Sequence, residues 1–136
     1  MARILAIDYG KKRTGIAVTD PLQIIATGLT TIDSHELIPF LKNYFHTETV
    51  ELIVIGLPVN LDDTDTDGTA PAKNAIERIK KAFPVMPIKM VDERFTSKMA
   101  KIAMVEMGMK KKERQVKANV DVIAATIILQ EYMERG

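Results

Sequence analysis

Residues 3–19 read Arg3-Ile4-Leu5-Ala6-Ile7-Asp8-Tyr9-Gly10-Lys11-Lys12-Arg13-Thr14-Gly15-Ile16-Ala17-Val18-Thr19. Two runs of apolar and β-branched residues flank a basic turn led by glycine, which predicts strands over 3–9 and 14–19 joined as a hairpin. Asp8 closes the first apolar run. An ionised carboxylate in an apolar setting is costly unless it is paired or binds a metal, so this acid asks for a partner. The turn has the Gly-x4-Gly spacing of a phosphate-binding P-loop. It lacks the Lys-Ser/Thr that must follow, and a strand lies beyond it where a P-loop needs a helix.

Outward from the hairpin, Asp20-Pro21 breaks the chain and residues 24–32 can form a third strand. Asp33-Ser34 reads as a helix cap, with Leu37, Ile38, Leu41, Tyr44 and Phe45 spaced for one apolar face. Leu52-Ile53-Val54-Ile55 is a continuous apolar run ending at Gly56, the pattern of a strand buried on both faces. The acidic stretch 62–67 lacks the ligand spacing of a calcium loop and reads as a solvated loop. Pro71 suits the first turn of a helix running to about residue 83. Pro84 and Pro87 then lead into a strand over 88–92. Thr96 or Ser97 can cap a helix stopped by Gly108, and the basic segment 110–117 precedes a final helix to about residue 133.

This order, β-β-β-α-β-α-β-α-α, implies a mixed sheet: an antiparallel meander, then strands made parallel by helical crossovers. In such sheets functional groups collect beyond the carboxyl ends of the parallel strands. Asp8 and the Asp92-Glu93 pair fall there. Asp121, at the head of the apolar stretch 122–129, reaches the same edge if the last helix folds over it. Pleat alternation lets only one of Asp92 and Glu93 enter a common cluster. Asp20 lies at the far end of strand two, about 20 Å from Asp8 at 3.3 Å per residue, and reads as a turn residue. Taken singly, each acid has an ordinary explanation: a turn, an ion pair with Arg94 or Lys89, or a helix dipole acting on Asp121. Their convergence makes the case for a divalent-cation site.

The remaining composition sets limits. A length of 136 residues, ordinary apolar and charged content and a net charge of +1 describe one globular domain, 1–136, with no global field toward nucleic acid or membrane. The chain has no cysteine, which excludes thiolate metal sites and fits a reducing, cytoplasmic setting. No apolar run approaches a membrane span. Attraction to a polyanion must therefore be local, in the 11–13 turn and in 110–117, where five cations fall within eight residues. Few aromatics and no tryptophan favour backbone or shape recognition over base stacking. His35 and His46 are assigned no role.

Four segments together, Ile7-Asp8-Tyr9-Gly10-Lys11-Lys12-Arg13-Thr14-Gly15, Ile55-Gly56-Leu57-Pro58, Asp92-Glu93-Arg94-Phe95-Thr96-Ser97 and Asp121-Val122-Ile123-Ala124-Ala125, resemble the signatures of the YqgF family, also called RuvX, of Holliday junction resolvases and pre-16S rRNA nucleases. The resemblance spans essentially the whole chain. It implies an α/β, RNase H-like fold with a five-stranded mixed sheet, and a metal-dependent nuclease. It carries catalytic and metal-binding roles onto Asp8, Glu93 and Asp121, selecting Glu93 over Asp92, and substrate contact onto Arg13, Arg94 and Lys117. Carboxylates alone suit Mg²⁺ or Mn²⁺, as one or two ions. One departure is visible: the family's Gly-Leu-Pro loop continues quickly to Asp-Gly, whereas here Asp67-Gly68 follows an enlarged Asp/Thr stretch.

The expected partner is nucleic acid, either a structured RNA precursor or branched DNA, acted on by a monomer or weak homodimer. Maturation of the 5′ end of pre-16S rRNA leads, ahead of Holliday junction resolution. Two competing readings are an idle nucleic-acid-binding domain and a sugar-kinase- or actin-like ATPase, although the latter needs two such domains around its nucleotide.

Overall fold

The computed structural model describes residues 2–57, 69–92 and 117–135. Within them, β1 (Arg3–Tyr9), β2 (Arg13–Thr19) and β3 (Ala26–Asp33) are followed by a 3₁₀ turn (Ser34–Glu36) and α1 (Leu37–Thr47). Then come β4 (Val50–Leu57), α2 (Thr69–Ala82), β5 (Ile88–Asp92) and α3 (Lys117–Arg135). The expected helix over 96–107, the acidic 62–67 loop and the basic 110–116 segment lie outside the described residues.

The sheet order is β3-β2-β1-β4-β5. β1–β2 and β2–β3 pair antiparallel, and β1–β4 and β4–β5 pair parallel. Alternation along β1 sorts its side chains between two cores. Leu5 and Ile7 pack with Leu37, Leu41, Ala75, Ile76 and Ile79, so α1 and α2 cover one face. Ile4 and Ala6 pack with Ala17, Val54, Ala125, Ile128 and Leu129, so α3 covers the other. β4 feeds both cores, Ile53 and Ile55 to one and Val54 to the other, as its unbroken apolar run requires.

Three local expectations need correction. The third strand starts at Ala26 and not at residue 24, because the Asp20 carboxylate gathers the amides of Leu22, Ile24 and Ile25 into a turn. Asp33 and Ser34 do not cap α1: Asp33 ends β3 and makes no side-chain cap bond, and a 3₁₀ turn intervenes. The buried Ser34 hydroxyl goes elsewhere, as described below. Asp121 is the fifth residue of α3, and no acid lies in that helix's first turn. The dipole explanation, which acts within the first turn, therefore loses its force.

Candidate active site

Asp8 ends the apolar part of β1 and is half-buried. Two residues beyond Ala6, it faces the α3 side of the sheet. Its cross-strand neighbours are Gly15 on β2 and Gly56 on β4. Neither glycine has a side chain, so no side chain flanks the carboxylate from either neighbouring strand at the carboxyl end of two parallel strands.

The same Gly15 receives α3. A Cβ built at position 15 would collide with the backbone carbonyl of Asp121. The helix backbone therefore rests on the β2 backbone at the residue paired with Asp8. One glycine thus meets one acid from the sheet and another from the helix. Asp121 is largely buried, with its side chain 16% exposed, and its Oδ2 lies 3.8 Å from Arg13 Nε. That separation is an ion pair beyond hydrogen-bond length, so Arg13 places positive charge beside the acid and keeps its fork of donors partly turned to solvent.

The basic turn that precedes Arg13 is built rigidly. Ser34 N donates to Lys12 O at 2.9 Å, and Ser34 Oγ donates to Gly10 O at 2.5 Å. That uses the only proton of the serine hydroxyl, so Thr14 Oγ1, 2.8 Å away, is the donor between the two hydroxyls. Thr14 and Ser34 are both buried. Their mutual satisfaction avoids the cost of an orphaned buried polar group and fixes the turn that carries the exposed Lys11 and Lys12.

Of the expected site residues, Asp8, Asp121 and Arg13 come together at this edge. Glu93 and Arg94 lie outside the described residues, and for Lys117, the first residue of α3, only the backbone is described. Asp20 is a turn residue as expected. His35 joins Asp33 and Glu36 in a group whose ligand atoms lie within 4.8 Å of one another, but all three are exposed and such surface groups commonly hold no ion. Sequence reasoning missed the parts played by Gly15, Gly56 and Ser34. An isolated glycine inside a strand pattern is the available signal for close backbone approach, and Gly15 fits it.

A family model described as "RuvX: Holliday junction resolvase" matches residues 2–135. A relative from Bacteroides fragilis, named "Putative pre-16S rRNA nuclease", is 54% identical over 134 residues, covering 98% of this chain and 97% of its own length. One of the same name from Christiangramia forsetii is 53% identical over 133 residues, covering 98% of each. Among solved structures, Thermus thermophilus RuvC in complex with a Holliday junction substrate superposes with a TM-score of 0.61 at 15% identity, over 100% of this chain and 97% of that one. At that identity the likeness concerns the fold, which is the RNase H-like α/β architecture of RuvC.

Proposed function

This chain belongs to the RuvX family, and on that premise we propose that it is a metal-dependent nuclease that matures the 5′ end of pre-16S rRNA, with Asp8, Glu93 and Asp121 as its catalytic acids. Hydrolysis of phosphodiester bonds follows from the family and from the names of relatives that share more than half of its residues. The rRNA substrate rests on those same full-length relatives. The Holliday junction is the second reading, favoured by the description of the family model. We assign the chain to the cytoplasm; among the described residues no helix is long and apolar enough to cross a membrane.

The observation that carries the site is the meeting of Asp8 and Asp121 at Gly15. The donor set fits a hard divalent cation: carboxylate oxygens, with no thiolate in the chain. Mg²⁺ or Mn²⁺, as one or two ions, would be held by Asp8, Asp121 and Glu93. At the end of β5, the strand that leads toward Glu93, Val91 packs in the α3-side core. When bound, such an ion supplies charge to the phosphate oxygens and to an attacking water. The residues do the rest. Arg13 holds charge beside Asp121 and offers its remaining donors to a phosphate; Lys11 and Lys12 meet flanking phosphates from the pinned turn. Arg94 and Lys117 are assigned substrate contact as well.

The test replaces Asp8 by Asn, which keeps the size of the side chain and removes its charge. The variant should fold normally and lose metal-dependent cleavage of a pre-16S rRNA fragment. A fully active Asp8→Asn protein, free of contaminating nuclease, would sink the assignment. Running a four-way DNA junction beside the RNA decides between the two substrates.

A further inference from the structure

Tyr9 follows Asp8 in β1 and turns to the opposite face of the sheet, where its ring packs against the core beneath α1 and α2. Its hydroxyl accepts a hydrogen bond of 2.9 Å from Arg78 Nη2 on α2. A tyrosine hydroxyl that accepts from arginine still has its own proton to give. Arg78 is exposed, and this bond occupies one of its five N–H donors. Among the described residues no carboxylate pairs with it. The nearest acid in sequence, Glu77, lies 3.9 Å from Lys80 in an i,i+3 pair. A cation whose neighbouring acid is already engaged, held by a packed ring at the end of the strand that bears Asp8, has the makings of a phosphate contact.

We propose that Tyr9 and Arg78 form a second phosphate-binding point, on the face of the sheet opposite Arg13, so that the substrate backbone crosses the ends of β1 and β2. Arg13 stands on the α3 side, beside Asp121; Arg78 stands on the α2 side, against Tyr9. Lys11 and Lys12 lie on the turn that joins the two strands. A strand of phosphates laid over that turn meets a cation on each side of the sheet edge, with Asp8 on the same side as Arg13. The role is one of positioning, and it rests on the nuclease reading above.

Binding of a fluorescein-labelled RNA stem-loop, followed by anisotropy in EDTA over a range of KCl concentrations, reads this directly. Each lost phosphate contact reduces the slope of log K against log[salt] by about 0.7 to 0.9. Arg78→Gln should bind several-fold more weakly and shallow the slope by that amount, while Arg78→Lys restores the slope. Tyr9→Phe should weaken binding and leave the slope unchanged. With metal present, Arg78→Gln should raise KM and keep kcat, as loss of uniform binding does. Arg78→Gln with wild-type affinity and slope overturns the proposal, as does weaker binding at an unchanged slope. If the wild type itself neither binds nor cleaves the RNA, the nuclease reading falls and takes this inference with it. If it does both and Arg78→Gln is indistinguishable from it, this inference alone falls.

Discussion

Asp20 and Asp8 are both acids at the end of an apolar strand, and their surroundings give them opposite uses. The carboxylate of Asp20 accepts the amides of Ile24 and Ile25 at 2.7 Å each on Oδ1 and that of Leu22 at 3.1 Å on Oδ2. It is filled by the turn it organises. Asp8 sits between two glycines at the carboxyl edge of the sheet, at the place where α3 lays Asp121 against Gly15. The amide hydrogen bonds on Asp20, that from Ile25 foremost, hold its pKa below the ordinary value of 3.8. A folded pKa below the unfolded one stabilises fully above the unfolded value, and the contribution is lost as pH falls through the folded value. Asp20→Asn keeps an oxygen for Ile24 and Ile25 but cannot titrate. Wild type should therefore be the more stable protein at neutral pH, and its lead should shrink below about pH 4. Urea midpoints of both proteins measured from pH 7 downward check this, and a lead that persists undiminished through the acid range contradicts it.

At the scale of elements, the site depends on how closely α3 lies on the sheet. Gly15, Ala17 and Gly28 present almost no side chain to the helix. At Gly15 an added Cβ meets the Asp121 carbonyl, which is backbone and cannot swing aside; at Gly28 it meets the end of the Val122 side chain. Gly15→Ala should therefore push the helix away and cost about 1–3 kcal/mol as overpacking does, with cleavage lost alongside. Gly28→Ala should cost less, because what it meets is side chain and not backbone, but the difference is limited by Val122 being stiff at χ1 in a helix; it should retain activity. Chemical denaturation and cleavage assays on the pair test this ranking; equal losses would mean that the seat of the helix does not set the site. The contrast also explains what could be read in advance. β1, β4 and β5 were legible because each is an apolar run bounded by glycine, proline or acid. Asp8 and Asp121 could be named as acids out of place. The seating of the helix on Gly15 was not visible, because it arises only when two segments over 100 residues apart come together. Ser34 was misread for a related reason. Its local pattern says helix cap, but tertiary burial gives its hydroxyl better partners in Gly10 and Thr14.

For the whole molecule, the two cores and the carboxylate edge are separable, and this makes metal binding testable without an activity assay. Leu5, Ile7 and their partners under α1 and α2, and Ile4, Ala6 and theirs under α3, bury the apolar mass away from Asp8. The fold should therefore survive chelation, with the ion adding stability only by mass action. A ligand at a hundredfold excess over its Kd contributes about 2.7 kcal/mol, or several degrees in Tm for a chain of this length. Mn²⁺ titrated into EDTA-treated, dialysed protein should raise Tm by such an amount, and Asp8→Asn should lose most of the rise while keeping a cooperative transition. The exposed Asp33–His35–Glu36 group is the competing location among the described residues, so His35→Ala serves as the control and should keep the full rise. A rise that follows His35 and ignores Asp8 would move the ion to the surface and leave the edge acids without their cation. A rise lost only with Asp8 would tie the ion to the residue that β1 carries to the end of the sheet.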